Sequence, residues 1–490
     1  MRSLRRVLLA VLLCASACAL APATVALGAV ATTAVISDPF TNPGSQHATA
    51  VEPDTFAFGN TIVVVSQIGR FFDGGASGTG FATSTNGGAT WTSGALPGLT
   101  VHQTPAGPYG RVSDPVIAYD AAHGVWLAQS LGLLDGSSGP FAVGIAVNRS
   151  IDGGLTWSAP VLSADAPGDG ADKNWIVCDN HATTSPFYGR CYQTWDNNFG
   201  TLLQNYSTDG GLTWSTPVAN ADNFPGIGGQ PVVQPDGDVI IAAADSALAT
   251  IIAFGSTDGG VTWSHVTAVS PAPTSTVAGN LRADPLPSAE IDSTGKVYVV
   301  WQDCRFRKGC KVNDLVMSTS TDGVSWTPVT RVPIDAVSSG VDHFIPGLGV
   351  DPATSGAGAK LGLAYYFYRS SRCTKKKPCQ LEVGYVQSNN GGSTWSGRTD
   401  VAGPFPVTWI ADTTLGRMVG DYISTSWLNG RAWPAFALAS APIGSVFDED
   451  IDVPTGGLNA AAFSSTSSGD RAIAGAASDH AAPQSTIRRR

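Results

Sequence analysis

Charge is scarce in this 490-residue chain: Asp, Glu, Lys and Arg make up 13% of it, about half the usual share. What charge there is leans acidic, with 38 Asp and Glu against 28 Lys and Arg. That balance excludes a nucleic-acid binder, because phosphate recognition needs a basic footprint. Beyond the first 31 residues no apolar run reaches the roughly 18 residues that span a bilayer. No Cys pair has the two-residue spacing of a zinc knuckle, so structural zinc is not expected. Asp448-Glu449-Asp450 is acidic but matches no defined calcium loop, and neither metal nor cofactor is expected. Glycine and proline, by contrast, are abundant, at 57 and 31 residues. They argue for many tight turns and against a helical bundle. With 13 Trp, 18 Phe and 43% hydrophobic residues, the chain has the material for a large core.

The first residues, Met-Arg-Ser-Leu-Arg-Arg, precede a short apolar stretch from Val7 to Leu13 and small residues up to about Ala29. This is the layout of a secretory signal, assigned to residues 1–31, and it predicts a secreted protein. Two of the 8 Cys leave with it. The other six fall in close pairs, Cys178 with Cys191, Cys304 with Cys310 and Cys373 with Cys379. In an oxidising compartment an even number so spaced predicts three local disulfides. From residue 455 to 490 the chain turns to Ala, Ser and Gly and ends in three arginines, the composition of a disordered tail.

Between these ends one pattern recurs six times: Ser84 to Trp91, Ser150 to Trp157, Ser207-Thr-Asp-Gly-Gly-Leu-Thr-Trp214, Ser256 to Trp263, Ser320 to Trp326, which is one residue shorter, and Ser388 to Trp395. Asp or Asn bonds to nearby backbone N–H groups, glycine supplies positive φ, and Thr-x-Trp opens the next strand with a large anchor. The Asp residues are committed to their turns. Around each box the order reads strand, strand, strand, box, strand, and the boxes recur roughly every 50 to 70 residues. Such units predict an all-β fold over residues 32–454, a six- or seven-bladed β-propeller of four-stranded antiparallel blades. The last unit, from Arg417 to Leu438, lacks a box and is predicted to be completed by the N-terminal strand near Ala34, since ring closure removes exposed sheet edges.

The boxes resemble the bacterial neuraminidase repeat, the Asp box of the sialidase superfamily. The same box also occurs in propellers that bind or assemble rather than catalyse, so function must come from the site. In a propeller the innermost strands start near the axis. Here those starts carry Glu52 and Asp54, Arg111 and Asp114, Asp172 and Lys173, Gln230, Glu290, Asp342 and His343, and Asp421 with Tyr422. The resemblance implies a Tyr nucleophile, a Glu that draws off its proton, an Asp acid/base and an Arg cluster for a sugar carboxylate. Carried over residue by residue, it makes Tyr422 the nucleophile in Gly420-Asp-Tyr-Ile-Ser, and Glu290 its base in the hairpin that closes on Arg305. Asp73, in Arg70-Phe-Phe-Asp-Gly-Gly, becomes the acid/base.

The departures are equally specific. Where the first blade of the family opens with a clamp arginine, this chain has Glu52-Pro53-Asp54; ahead of the sixth box it has a Lys375-Lys-Lys run. Only Arg305 matches the clamp, with Arg111, Arg282 and Arg417 as possible replacements, and a lysine or displaced arginine does not reproduce a bidentate fork. The leading expectation is an exo-α-sialidase-like glycosidase acting on a glycan as a monomer. Its competitors are a glycan- or protein-binding propeller, with Trp175 and Trp195 as exposed aromatics, and a structural propeller. Contact between Glu290 and Tyr422 decides between chemistry and binding.

Overall fold

The computed structural model describes residues 30–168 and 170–459; the predicted signal and most of the predicted tail lie outside the described residues. Strands dominate, and the helical content among the described residues is two single 3-10 turns, Gly356–Gly358 and Val407–Trp409. The strands pair antiparallel into seven four-stranded groups in chain order. The first two groups are joined into one larger sheet by a single pairing, Ala76 with Val112. The expectation of an all-β architecture in four-stranded antiparallel sheets is met. In the seventh group, Thr32–Ile36 lies beside Glu449–Pro454, so strands from opposite ends of the chain share one sheet.

Each of the first six groups carries its box between the third and fourth strands, and the bonds are those its composition implies. In the third box the Asp209 carboxylate accepts from the backbone of Leu212 at 3.0 Å and Thr213 at 2.9 Å, and from the Thr213 hydroxyl at 2.6 Å. Gly210 and Gly211 turn through φ of 69° and 80°. A Cβ on Gly211 would sit 2.9 Å from Leu127 of the preceding sheet, so this glycine also lets the turn approach its neighbour. All three predicted disulfides are formed.

The first strands of the seven groups are Ala50–Phe58, Arg111–Asp120, Asp172–Cys178, Gly226–Val233, Ser288–Ile291, Asp342–Val350 and Ser424–Leu428. Each packs against the first strand of the next group, and the seventh packs back against Ala50–Phe58. They are too far apart to form one ladder, and side chains lace them instead. Asp54 accepts from the Ile117 backbone at 2.9 Å, Gln230 from Ala289 at 2.8 Å and Ser288 from Leu348 at 3.0 Å, while the Ser424 hydroxyl donates to the Thr55 carbonyl at 3.2 Å. These bonds satisfy polar groups that would otherwise be buried alone.

Candidate functional site

Five of the seven first strands carry the same irregularity near their beginning. The pairing slips between Val51 and Asp54, Ser113 and Val116, Asp172 and Trp175, Ile227 and Gln230, and Phe344 and Pro346. At each slip one residue turns left-handed: Glu52 at φ 59°, Asp114 at 46°, Lys173 at 45°, Gly228 at 66° and Ile345 at 50°. Glycine adopts this conformation at no cost; the charged residues adopt it against a penalty of about 1 kcal/mol or more each. Bulges re-aim side chains. Here they aim three charges at one another.

Lys173 Nζ lies 3.2 Å from Glu52, 3.1 Å from Asp114 and 2.5 Å from Asp421. Arg282, from the loop before Ser288–Ile291, pairs with the same Asp421 oxygen as Lys173. Gln67 donates to Glu52, and Arg70 donates to Gln67 at 2.6 Å. Glu52, Asp114, Asp421 and Lys173 are all buried. Burial pushes the Glu52 carboxyl up to about 7, with the Lys173 charge opposing it. Burial works against ionisation of Asp114 and Asp421 too, yet the cations beside them hold both below the usual range. Asp172 faces Asp196 across its strand pair, and burial plus the charge of Asp114 push it up to about 7. A void of about 10 Å³ lies between Lys173, Gln230, Leu286 and Tyr422. Every cation in the cluster already holds a carboxylate or an amide.

Tyr422 is buried, and its hydroxyl donates to the Pro115 carbonyl at 2.9 Å. Burial, then the surrounding acidic charges, push its phenol well above its ordinary value, the reverse of what a nucleophile needs. Its ring meets Trp175 edge-on at 5.0 Å. On the far side of Trp175 the interior opens into a cavity of about 240 Å³ to which all seven first strands contribute, from Asp54 to Ala57, Ile117 to Ala118, Trp175 to Cys178, Pro231 to Val233, Ala289 to Ile291, Val350 and Ser424 to Trp427. Glu290 faces this cavity. Burial, and then the neighbouring charge of Asp54, push its carboxyl up to about 8. Burial alone pushes Asp54 up to about 7, against its bonds to Ile117 and Ser424.

Of the residues singled out in the sequence, then, the structure gathers Asp114, Asp172, Lys173, Asp421 and Tyr422 with Glu52, and does not bring Glu290 to Tyr422. Among the described residues no hydrogen bond joins those two. Asp73 pairs with Arg111 at 2.5 Å, and Arg111 also holds Asp135 at 2.7 Å. Arg305 folds back on Asp303 at 2.6 Å and on Ser270 at 2.9 Å. Arg417 donates to the Ile410 carbonyl at 2.8 Å. Asp342 accepts from Asn313 at 2.7 Å, while buried His343 meets Tyr365 edge-on and stacks on Phe367. Trp195, expected on the surface, is buried, because its strand is the second of the third sheet and has both faces covered. Trp175 is half-buried and divides the charged cluster from the cavity. Arg282 was visible only as a spare arginine, since its loop carries no pattern, and nothing in the composition of the strands announced the cavity.

Asp314, Asp335 and His343 stand close enough to share an ion. Arg307 and Arg331 already occupy those carboxylates, however, at 2.5 to 2.9 Å, which is an ion-pair network rather than a metal cage. Glu449, in the acidic run near the end, accepts from the Ala411 backbone at 2.9 Å and is buried in its strand. No helix among the described residues is long and apolar enough to cross a membrane.

No curated protein sequence matches the chain significantly. Among solved structures, a protein of unknown function from Dyadobacter fermentans is 17% identical over 74% of this chain and 100% of its own, with a TM-score of 0.46. The intramolecular trans-sialidase of Ruminococcus gnavus is 15% identical over 66% of this chain and 91% of its own, at 0.45. The α-L-arabinofuranosidase Arb93A of Fusarium graminearum is 14% identical over 59% and 94%, at 0.37. Likeness at this level transfers no activity. The family model of the BNR repeat-like domain matches residues 136–347, which contain the second to fifth boxes. That match covers under half of the chain, and the same box stands on six consecutive sheets, two of them outside the matched residues.

Proposed function

We propose that this chain is a secreted seven-bladed β-propeller that binds glycans in its axial cavity, and that it is not an exo-α-sialidase. The cyclic packing of the seven first strands and the N-terminal strand in the seventh sheet support the closed ring. The signal-like first 31 residues and the three disulfides support export. One observation carries the binding reading: the Tyr422 hydroxyl is spent on the Pro115 carbonyl while Glu290 lies in a different cavity. A nucleophile and its base must stand within hydrogen-bond reach. The arginines expected to clamp a carboxylate are likewise neutralised by Asp73, Asp135, Asp303 or Asp421. The cavity has what sugar binding asks for, an aromatic wall of Phe56 and Trp175 beside the polar side chains of Asn180, Ser424, Ser426 and Glu290.

The test pairs binding with turnover. The secreted protein is screened on a glycan array and, in parallel, with fluorogenic sialosides and other glycosides, alongside Tyr422→Phe. Glycan capture without turnover, equal in both proteins, is the expected result. Hydrolysis abolished by Tyr422→Phe would restore the sialidase reading.

A further inference from the structure

We infer that the axial cavity selects a sugar carrying a protonated amine over its neutral or acylated counterparts. The inference rests on the glycan-binding reading and adds the ligand's charge to it. The cavity's walls contain two carboxyls, Asp54 and Glu290, and no Lys or Arg. The nearest ring nitrogen in the walls, that of His181, is held by Asp179 at 3.2 Å, and Asp351, beside the lining residues Val350 and Pro352, faces Lys360 at 3.6 Å. Asp54 accepts from the Ile117 backbone at 2.9 Å, and the Glu290 carboxyl takes the backbone N–H of its own neighbour Ile291. Glu290, with no cation beside it, presents its carboxyl to a space large enough for a sugar ring, with Asp54 as its electrostatic neighbour.

Two like charges in one poorly hydrated cavity repel, so one keeps its proton until a cation arrives. A cation entering the cavity relieves that repulsion and gains two partners, whereas an anion meets both carboxyls with no base to receive it. A metal ion is a poor fit, because the two carboxyls lack a third ligand side chain within reach; the group of three among the described residues lies elsewhere. An ammonium on a ring suits the site better. The ring packs on Phe56 and Trp175, hydroxyls meet Ser424 and Ser426, and the amine docks at Glu290. An anionic sugar, which the superfamily resemblance implies, is disfavoured by the same charges.

Calorimetric titration of the full secreted protein with glucosamine, N-acetylglucosamine and glucose near neutral pH tests this. Glucosamine should bind at least about tenfold more tightly than the other two. Glu290→Gln, close to isosteric, should erase that preference while leaving thermal unfolding intact. A second arm needs no variant: tetramethylammonium, whose charge does not titrate, should bind wild type about tenfold more tightly at pH 8 than at pH 6, as the carboxyls ionise. Equal affinity for the three sugars would overturn the charge selection and leave glycan binding standing. A preference that survives in folded Glu290→Gln, or a flat response to pH, would remove the amine from this cavity. Failure of every sugar to bind would end both readings.

Discussion

The two ends of the interior are built from the same seven strands and differ in how their charges are settled. At the strand starts, Glu52, Asp114 and Asp421 surround Lys173, Asp421 also holds Arg282, and the void beside Lys173 and Tyr422 is only about 10 Å³. A few residues further along, Asp54 and Glu290 stand with no cation beside an opening of about 240 Å³. The first region is rich in charge and pairs each cation, leaving Asp421 Oδ1, Arg282 Nε and Arg70 Nε without a bond among the described residues; the second holds carboxyls with no cation beside open space. A polar ring is therefore a weak guide to function on its own. What marks a ligand site is charge or hydrogen-bonding capacity that the protein leaves unused next to open space.

The comparison is most directly broken by removing one charge from each end. Lys173→Met leaves Glu52 and Asp114 without a cation while Asp421 keeps Arg282, and loss of one member of a buried ionic cluster costs about 3–5 kcal/mol. Glu290→Gln removes a carboxyl whose neighbour is itself acidic, so it should leave stability unchanged at pH 4.5 and improve it as the pH rises. Denaturant unfolding of both variants decides. If the two lose similar amounts, the ends are not different in kind.

Acidity sharpens the contrast next. Glu290 is raised from 4.5 to about 8, so its proton is held more tightly in the folded protein than in the unfolded chain. A raised carboxyl contributes stability that is complete below pH 4.5 and drains away as pH rises towards 8. Glu290→Gln cannot lose what it lacks. Its unfolding temperature, compared with wild type, should accordingly improve steadily from pH 4.5 to 8, by no more than about 1.4 kcal/mol per pH unit. Above pH 8 the difference should level off; a difference that is flat throughout would mean that the cavity is too wet to perturb the carboxyl.

Much of the fold could be read from the sequence because its signals are local. Asp-Gly-Gly turns, short alternating strands and close cysteine pairs need only a few neighbouring residues, and they placed six box-bearing sheets, the N-terminal strand in the last sheet and three disulfides. The gathering of Glu52, Asp114, Lys173 and Asp421 was legible as well, because first strands share a direction and their starts fall at one end. Depth along that direction was not. Glu290 opens no charge pair with Tyr422 because its strand, Ser288–Ile291, is only four residues long, and the chain before it, Pro285-Leu-Pro287, fills the level of the charged cluster without a carboxylate. Whether a residue stands above or below Trp175 depends on such offsets of two or three positions, which no box or turn records.

Tyr422→Phe gives a smaller effect. The substitution removes one buried hydrogen bond to Pro115 and keeps the ring against Trp175, so about 1 kcal/mol of stability should be lost. Glycan capture should persist, since the hydroxyl points away from the large cavity's polar groups. Loss of capture in a folded variant would move the ligand to the charged end.

Asp73→Asn should change least. Asp73 is nearly half exposed, and Arg111, its partner at 2.5 Å, retains Asp135 at 2.7 Å and the Phe71 ring at 4.1 Å. An exposed pair of this kind contributes between nothing and about 1 kcal/mol. The bond to Arg111 also holds the Asp73 carboxyl below its ordinary value, so at neutral pH it carries no proton to give. An acid/base catalyst needs the opposite, a carboxyl raised towards the working pH. Unfolding and glycan capture by Asp73→Asn should therefore both match wild type. A variant that folds normally but loses a glycan-dependent signal would show that the pair at the rim, and not the axial cavity alone, takes part in recognition.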